Sequence, residues 1–383
     1  MSTQPIEPID LVLRSPIQVA ASVPYLLGFM PADSLVVIFV SDEGHHVLTT
    51  RVDLASGGRA IDELRDATAN MCLRAGEYGA RRAHAVAFCT SKISQDAIVN
   101  AHDAVLAATG RTGLFLDSFA SVCGGLWRAG VNLDASPDVL TEVGVAAAAQ
   151  WVAKGVTFES SREELTALVR GPETECAVRV RTYVESQPPG WAKSIVRTFA
   201  DRRATEDQIL EFLADRTPGV VGTDARSPVT LPTAADIARW SLSLADSRVR
   251  EPILWHLAHE SGADDDSRRG HGREVLNALC LLLRNTPSEV AAPLASCVAA
   301  YAWQLGNGAM ASIAAEYGLA CSDDNVLCGL VGSAVVSGAH PSIWLDMMMS
   351  MSLAELRRGP HRTRRPTQPG SENAGRKVRD CPG

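Results

Sequence analysis

The 383-residue chain is poor in aromatic side chains, which make up 5% of it, and it has no long hydrophobic run. Its longest apolar stretches, such as residues 35–40, have the length of a strand. A membrane-spanning helix needs about 20 apolar residues. The first ten residues have no basic segment followed by an apolar core, so we expect no signal peptide. We therefore expect a protein without a membrane partner.

The chain also lacks paired cysteine motifs, because no two of its nine cysteines form a C-x-x-C. Cys321 and Cys328 are seven residues apart, which is not the spacing of a zinc knuckle. Most of the cysteines have apolar neighbours, as expected of buried, reduced thiols that pack as small hydrophobic groups. Reduced thiols predict a cytoplasmic location.

Common catalytic motifs are missing as well. The sequence has no G-x-x-x-x-G-K-[ST], no G-x-G-x-x-G after a strand and no G-x-S-x-G, which excludes P-loop enzymes and argues against dinucleotide binding and α/β-hydrolase chemistry. The nearest approach to a metal motif is His256-x-x-His259-Glu260, for which no third ligand is evident. We therefore predict no metal site and no cofactor, and the sequence identifies no catalytic residue.

What is present is an ordinary globular composition, with 46% hydrophobic and 21% charged residues. This balance excludes global disorder. The formal charge of −8 is unevenly distributed, because residues 357–383 carry eight basic and two acidic side chains, +6 net, which leaves −14 for the remainder. We predict that this tail is disordered and basic. It has no aromatic side chain for base stacking, so we expect no nucleic-acid binding beyond nonspecific contact by the tail.

The pattern of apolar residues predicts an α+β protein. Residues 10–136 alternate between helical and strand patterns, including a hairpin over residues 35–54, and predict a mixed α/β domain with a small mixed sheet. Residues 137–217 predict a helical segment and residues 233–350 a helical bundle, joined by a proline-rich linker. Within the bundle, a Leu-Gly-Asn turn between Ala-rich helices is similar to one tetratricopeptide unit.

Polar and aromatic side chains cluster in the segment that leads into the first strand. Two prolines and a glycine fix its turns, and the polar residues stand where strands begin or end. The segment is either a recognition surface or a rigid connection between a helix and a strand. The candidate recognition residues are Tyr25, Phe29, Asp33, Ser34, Arg51 and Asp53.

The same segment carries a family resemblance. The run Pro-Tyr-Leu-Leu-Gly-Phe at residues 24–29, with the Pro-Ala-Asp-Ser and Leu-Val-Val that follow it, closely resembles the opening of the actinobacterial domain-of-unknown-function 4192 family. The likeness continues at residues 51–54, 149–168 and 302–309. Family members often carry an aromatic and cysteine-rich stretch after the strand near Phe119, of which only Leu-Trp-Arg at residues 126–128 is present here. The resemblance implies a cytoplasmic bacterial protein of no established activity.

Two functional hypotheses remain open. The first is a non-enzymatic protein-interaction or regulatory module, because the repeat-like hairpin and a Met-rich helix at residues 347–351 occur without any catalytic constellation. The alternative is an uncharacterised enzyme or small-ligand binder with its site at the strand ends of the N-terminal domain, where open α/β sheets bind ligands. Neither hypothesis identifies a partner, and the sequence does not establish the oligomeric state.

Overall fold

The structure is a computed structural model that describes residues 15–54, 58–90, 93–132, 134, 142–153, 156–214, 231–261 and 266–359. It has an α+β architecture, as predicted, with a mixed sheet near the N-terminus followed by helices. No helix in these ranges is both long enough and apolar enough to cross a bilayer.

The sheet has five strands in the order β2-β1-β3-β4-β5. Their bounds are β1 (Ser34–Val40), β2 (His46–Asp53), β3 (Arg82–Cys89), β4 (Phe115–Cys123) and β5 (Leu126–Ala129). The predicted hairpin is confirmed, because β1 pairs with β2 in antiparallel register. β1 also runs antiparallel to β3, and the parallel pair is β3 with β4, joined through a helix.

Three helices cover this sheet, α1 (Pro16–Leu27), α2 (Gly58–Glu77) and α3 (Gln95–Thr112). One apolar core lies between the sheet and the pair α2 and α3, and it includes Leu35, Val37 and Phe39 of β1. The alternate residues of β1 face the opposite side, towards α1. Since β1 is buried on both faces, its continuous apolar sequence is the pattern expected of a central strand.

The second half is helical throughout the part that the structure describes. Its helices are α4 (Glu142–Ala153), α5 (Arg162–Ala167), α6 (Glu175–Glu185), α7 (Trp191–Ser194), α8 (Phe199–Ala214), α9 (Ala234–Ser243), α10 (Ser247–Ser261), α11 (Asp266–Arg284), α12 (Ser288–Gln304), α13 (Gly308–Cys321), α14 (Val326–Val336), α15 (Ser342–Ser350) and α16 (Leu353–Arg358). A single apolar core extends from α1 and one face of the sheet into these helices. The sheet and the helical half therefore bury their apolar residues together.

Three patterns in the sequence, Ser15-Pro16, Ser161-x-x-Glu164 and Thr233 with Asp236, predict helix starts, and all three are confirmed. Ser15 caps α1, Ser161 caps α5 and Thr233 caps α9, each accepting a hydrogen bond from a backbone N–H in the first turn. Pro24 predicts that the first helix kinks or stops nearby, and α1 ends three residues later, at Leu27. The helix includes Pro24 because its buried face packs on the sheet, and this packing outweighs the bond that proline cannot donate.

Two other patterns, Thr205-x-x-Gln208 and Thr286-Pro-Ser-Glu, predict Thr205 and Thr286 as helix caps, and neither residue is one. Thr205 lies inside α8, where its hydroxyl donates to the backbone oxygen of Asp201 in the preceding turn. Thr286 donates in the same way to Leu282, and α12 starts two residues later, at Ser288. A hydroxyl that bonds back to its own helix no longer caps the next one.

The predicted basic tail starts too early at residue 357. Arg357 and Arg358 are the last residues of α16, and Arg357 forms two hydrogen bonds, of 2.8 and 3.1 Å, with the carboxylate of Glu206 on α8. A buried acidic partner thus holds the first residue of that segment in place. Residues 360–383 of the predicted tail, residues 218–230 of the predicted linker and residues 215–217 at the end of the predicted helical segment lie outside the described residues.

Candidate functional site

The candidate recognition residues gather where several strands end. Because β1 is antiparallel to both β2 and β3, its first residue lies beside the last residues of its two neighbours, so that Ser34 pairs with Asp53 and with Phe88. The end of β4 reaches the same edge, since β4 is parallel to β3. This edge of the sheet, which we call the Ser34 edge, brings together four of the six predicted residues, Asp33, Ser34, Arg51 and Asp53.

Arg51 is the centre of the Ser34 edge. Its Nε donates a hydrogen bond of 2.8 Å to the hydroxyl of Ser34, and its Nη2 contacts the carboxylate of Asp53. Its guanidinium carbon lies 5.8 Å from the centre of the buried Phe29 ring, within reach of a cation–π interaction. Nearby, Glu163 has a lowered pKa, chiefly from hydrogen bonds with its own backbone N–H and the Ser161 hydroxyl, with the positive charges of Arg162 and Arg51 adding to the effect. Arg51 thus links Ser34 at the start of β1 to Asp53 at the end of β2.

Asp33 has a strained backbone that its side chain explains. It is the non-glycine residue with a positive φ, 46°, in the part of the chain that the structure describes. Its carboxylate accepts hydrogen bonds from the backbone N–H and the hydroxyl of Thr90, at 2.7 and 3.0 Å. Asp tolerates this left-handed conformation better than most residues. The result is a fixed link between the start of β1 and the residue that follows β3.

Tyr25 is placed away from the strand ends, on the side of α1 that faces α4. Its ring stacks on Trp151, with centroids 6.0 Å apart, and meets Phe158 edge-on at 4.8 Å. The indole of Trp151 in turn donates a 3.0 Å hydrogen bond to the buried hydroxyl of Ser22. Tyr25 therefore packs α1 against α4 and the segment that follows α4.

The connection after α1 also contacts the helical half through backbone. Gly28, with φ of 79°, ends α1, and Phe29 forms a parallel bridge with Glu159. Both flanking bonds are 2.9 Å long, from Met30 N–H to Glu159 and from Glu159 N–H to Gly28. A side chain at Gly28 would meet the amide of Asn307, the N-cap of α13, at 3.7 Å. The opening segment thus touches two distant parts of the chain.

Comparison with known protein families finds a match that covers most of the chain. The family model described as Domain of unknown function (DUF4192) matches residues 16–342, from the start of α1 to the start of α15. The chain belongs to the DUF4192 family. No curated protein and no solved structure matches the chain.

Sequence reasoning missed three residues at the Ser34 edge of this DUF4192 member, Cys89, Thr90 and Cys123. Cys89 and Cys123 are register partners at the ends of β3 and β4. The apolar pattern predicts strands at residues 83–89 and 114–119, but the second prediction stops four residues short of Cys123. The pairing of the two strands depends on contacts over more than thirty residues, which no local motif reveals.

The histidine pair that resembled a metal motif is split between two environments. His259 stacks on the indole of Trp255 with 3.6 Å between ring centroids, whereas His256 lies 3.4 Å from the carboxylate of Glu206. Glu206 is 1% exposed and also binds Arg203 and Arg357. Within the described ranges, no group of three or more His, Cys, Asp or Glu side chains is arranged to hold a metal ion.

The repeat-like hairpin forms the antiparallel pair α12 and α13, against which α14 packs very closely. A side chain at Gly318 would approach Cys328 of α14 within 2.3 Å, and one at Gly332 would lie 3.7 Å from Ala315. Cys328 and Val331 form the buried side of α14. Its opposite side faces water and contains Val326, Leu330 and Ser333, with the adjacent Val336. We call this side the α14 face.

Proposed function

We propose that this DUF4192 protein is a non-enzymatic protein-interaction or regulatory module of the cytoplasm, and that the α14 face is its contact surface. The observation that carries the proposal is the chemistry of that face. Val326, Leu330 and Val336 are 73%, 63% and 85% exposed. Residues 325–339 contain no acidic side chain, no lysine and no arginine.

A surface helix ordinarily places charged side chains towards water. An apolar face left open on such a helix is typical of a surface that another molecule covers. The spacing of Val326, Leu330 and Ser333 is that of a single stripe on a helix, four and then three residues apart. The stripe also has room for a neighbour, because a side chain added at Gly329 would meet nothing within 4 Å.

A second copy of this chain is the occupant that the charges favour. Residues 1–359, which include Arg357 and Arg358 of α16, have a formal charge of −12, so two copies repel one another across most of their surfaces. The α14 face is an exception to this repulsion, because it has no charged side chain. A two-fold axis perpendicular to α14 would place the α14 helices of two copies antiparallel. Asp323 and Asp324 of one copy would then approach the other end of the partner helix, where Arg74, itself paired with Glu77, lies beside Gly338.

The test is the oligomeric state of the full chain, measured by size exclusion with light scattering over a range of concentrations. We expect a dimer that Leu330→Glu converts to a monomer, because two glutamates would face each other across the two-fold axis. Leu106→Glu is the matched control, since Leu106 is a half-exposed leucine on another helix, α3. Circular dichroism checks that both variants keep their helices.

A wild-type chain that remains monomeric at all concentrations would overturn this proposal. It would also be overturned if Leu106→Glu disrupted the dimer as strongly as Leu330→Glu does. Binding of an unrelated protein by a monomeric chain would retain an interaction role but reject the second copy as the occupant.

A small-ligand site at the Ser34 edge is the second candidate. One observation favours it. Several polar side chains lie together beside the carboxyl ends of the parallel strands β3 and β4, namely Arg51, Asp53, Asp33 and Thr90. It ranks second because these groups already bind one another. A thermal-shift screen with nucleotides and divalent cations tests it, with Arg51→Ala expected to abolish any stabilisation by a ligand. The absence of any response would reject it.

A further inference from the structure

Two cysteines face each other at the Ser34 edge. Cys89 is the last residue of β3 and Cys123 the last residue of β4, and the two are direct partners in the parallel register. Cys89 belongs to the apolar core under α2 and α3, and Cys123 packs against the same core. Their side chains therefore project from the same face of neighbouring strands.

The backbone places these two residues at the separation that a disulfide requires. Adjacent strands lie about 4.8 Å apart, and the α-carbons joined by a disulfide are about 4.4–6.8 Å apart. Both thiols are free in this structure. No large movement of either strand is needed for the sulfur atoms to meet.

The two thiols differ in their access to water. Cys89 is 6% exposed, whereas Cys123 is half-buried and lies directly before the β4–β5 turn. Burial raises the pKa of the Cys89 thiol, and so does its hydrogen bond to Cys123, with the charge of Asp33 also contributing. Because Cys123 is the more accessible of the two thiols, it is the first to meet an oxidant. The Cys89 thiol beside it stays protonated.

We propose that Cys89 and Cys123 form a reversible cross-strand disulfide when the protein meets hydrogen peroxide. The Cys123 sulfur attacks one peroxide oxygen, breaks the O–O bond and becomes a sulfenic acid, while the other oxygen leaves as water. The Cys89 sulfur then attacks the Cys123 sulfur, and the hydroxyl of the sulfenic acid leaves with the Cys89 proton as a second water. Two thiols are oxidised and one peroxide is reduced. A dithiol reductant reverses the reaction by exchange.

The bond would act on the Ser34 edge directly. Thr90, which holds the carboxylate of Asp33, is the next residue after Cys89. A covalent tie between the ends of β3 and β4 would therefore fix the side of this edge that carries Thr90. Oxidation thus reaches the candidate recognition residues without altering any of them.

Peptide mapping tests the proposal on the full chain with Cys381→Ser, which removes the thiol of the C-terminal segment. The protein is treated with hydrogen peroxide, alkylated and digested with trypsin without reduction. Cys89 and Cys123 are the single cysteines of tryptic peptides 83–92 and 112–128, respectively. We expect these two peptides to be linked in most molecules, and dithiothreitol to separate them.

A second measurement separates the roles of the two thiols. In Cys89→Ser the sulfenic acid on Cys123 has no partner, so its labelling by dimedone should increase several-fold. Cys321→Ser is the matched control, because Cys321 is also half-buried but lies on α13, away from the sheet. It should leave the yield of the linked peptide unchanged.

The proposal is overturned if peptides 83–92 and 112–128 remain unlinked at a peroxide dose that oxidises Cys321. It is equally overturned if Cys89→Ser leaves the dimedone labelling of Cys123 unchanged. Linkage of Cys123 mainly to some other cysteine of the folded protein would also reject it.

Discussion

A substitution at Gly318 tests how closely α13 packs against α14. Replacing a glycine with alanine inside a helix ordinarily stabilises it by about 1 kcal/mol. Here the added Cβ would lie 2.3 Å from the sulfur of Cys328 and 3.2 Å from the Cβ of Ala295. Cys328 is fully buried, so its sulfur has little room to move. Overpacking of this kind costs about 1–3 kcal/mol, and we use the upper end of that range because the contact is so short. Since the helix gains about 1 kcal/mol from alanine, we expect Gly318→Ala to destabilise the protein by about 2 kcal/mol.

Urea denaturation, followed by circular dichroism, measures this effect as a shift of the unfolding midpoint. Gly329→Ala is the matched control on the adjacent helix, where an added Cβ meets nothing within 4 Å, and it should be stabilising. Combining Gly318→Ala with Cys328→Ala removes the clashing sulfur and should recover more than half of the loss, as a coupled pair does. If Gly318→Ala stabilised the protein as much as Gly329→Ala, the close packing of α13 on α14 would be refuted.

Three further predictions concern buried or strained polar residues. Glu206→Gln should destabilise the protein by about 3 kcal/mol, because the change leaves the bound charge of Arg357 without a counter-charge; Glu211→Gln, exposed on the same helix, should have almost no effect in the same urea titration. Burial lowers the pKa of His84, so the unfolded chain takes up the proton first, and stability should fall as the pH drops below about 6.5. His84→Gln should weaken that dependence without abolishing it, because burial also lowers the pKa values of His46 and His340, and an unchanged slope would contradict it. Asp33→Ala should cost about 2 kcal/mol in thermal unfolding, from two lost hydrogen bonds and a left-handed alanine, and Asp33→Gly should cost less because glycine relieves the backbone part.

The sequence predicted best what local patterns determine. The alternation and apolar runs in residues 35–54 predicted a hairpin, and the structure pairs Ser34–Val40 with His46–Asp53. Caps at Ser15, Ser161 and Thr233 were also confirmed, since a cap depends on neighbours three residues away. Thr205 shows the limit of this approach: the same residue type in the same spacing lies inside a helix when the apolar face continues past it.

The candidate site depended on long-range contacts that no local pattern contains. The sequence identified Asp33, Ser34, Arg51 and Asp53 as candidates, and the antiparallel register places them on one edge. It did not identify Thr90 as the partner of Asp33, 57 residues away. Whether these residues recognise a ligand stays a prediction, because their observed contacts are with one another.

The contact of the opening segment with distant helices has a consequence for how the chain is made. Gly28 lies beside Asn307, and the core under α1 includes residues as late as Met348. A ribosome that adds about 5–20 residues per second would need roughly 15–55 s to reach Asn307 after it has made Gly28. Through that interval the opening segment lacks its contact with the start of α13, and the apolar core that α1 shares with the later helices is incomplete. We expect the nascent chain to need protection from aggregation until synthesis is nearly complete.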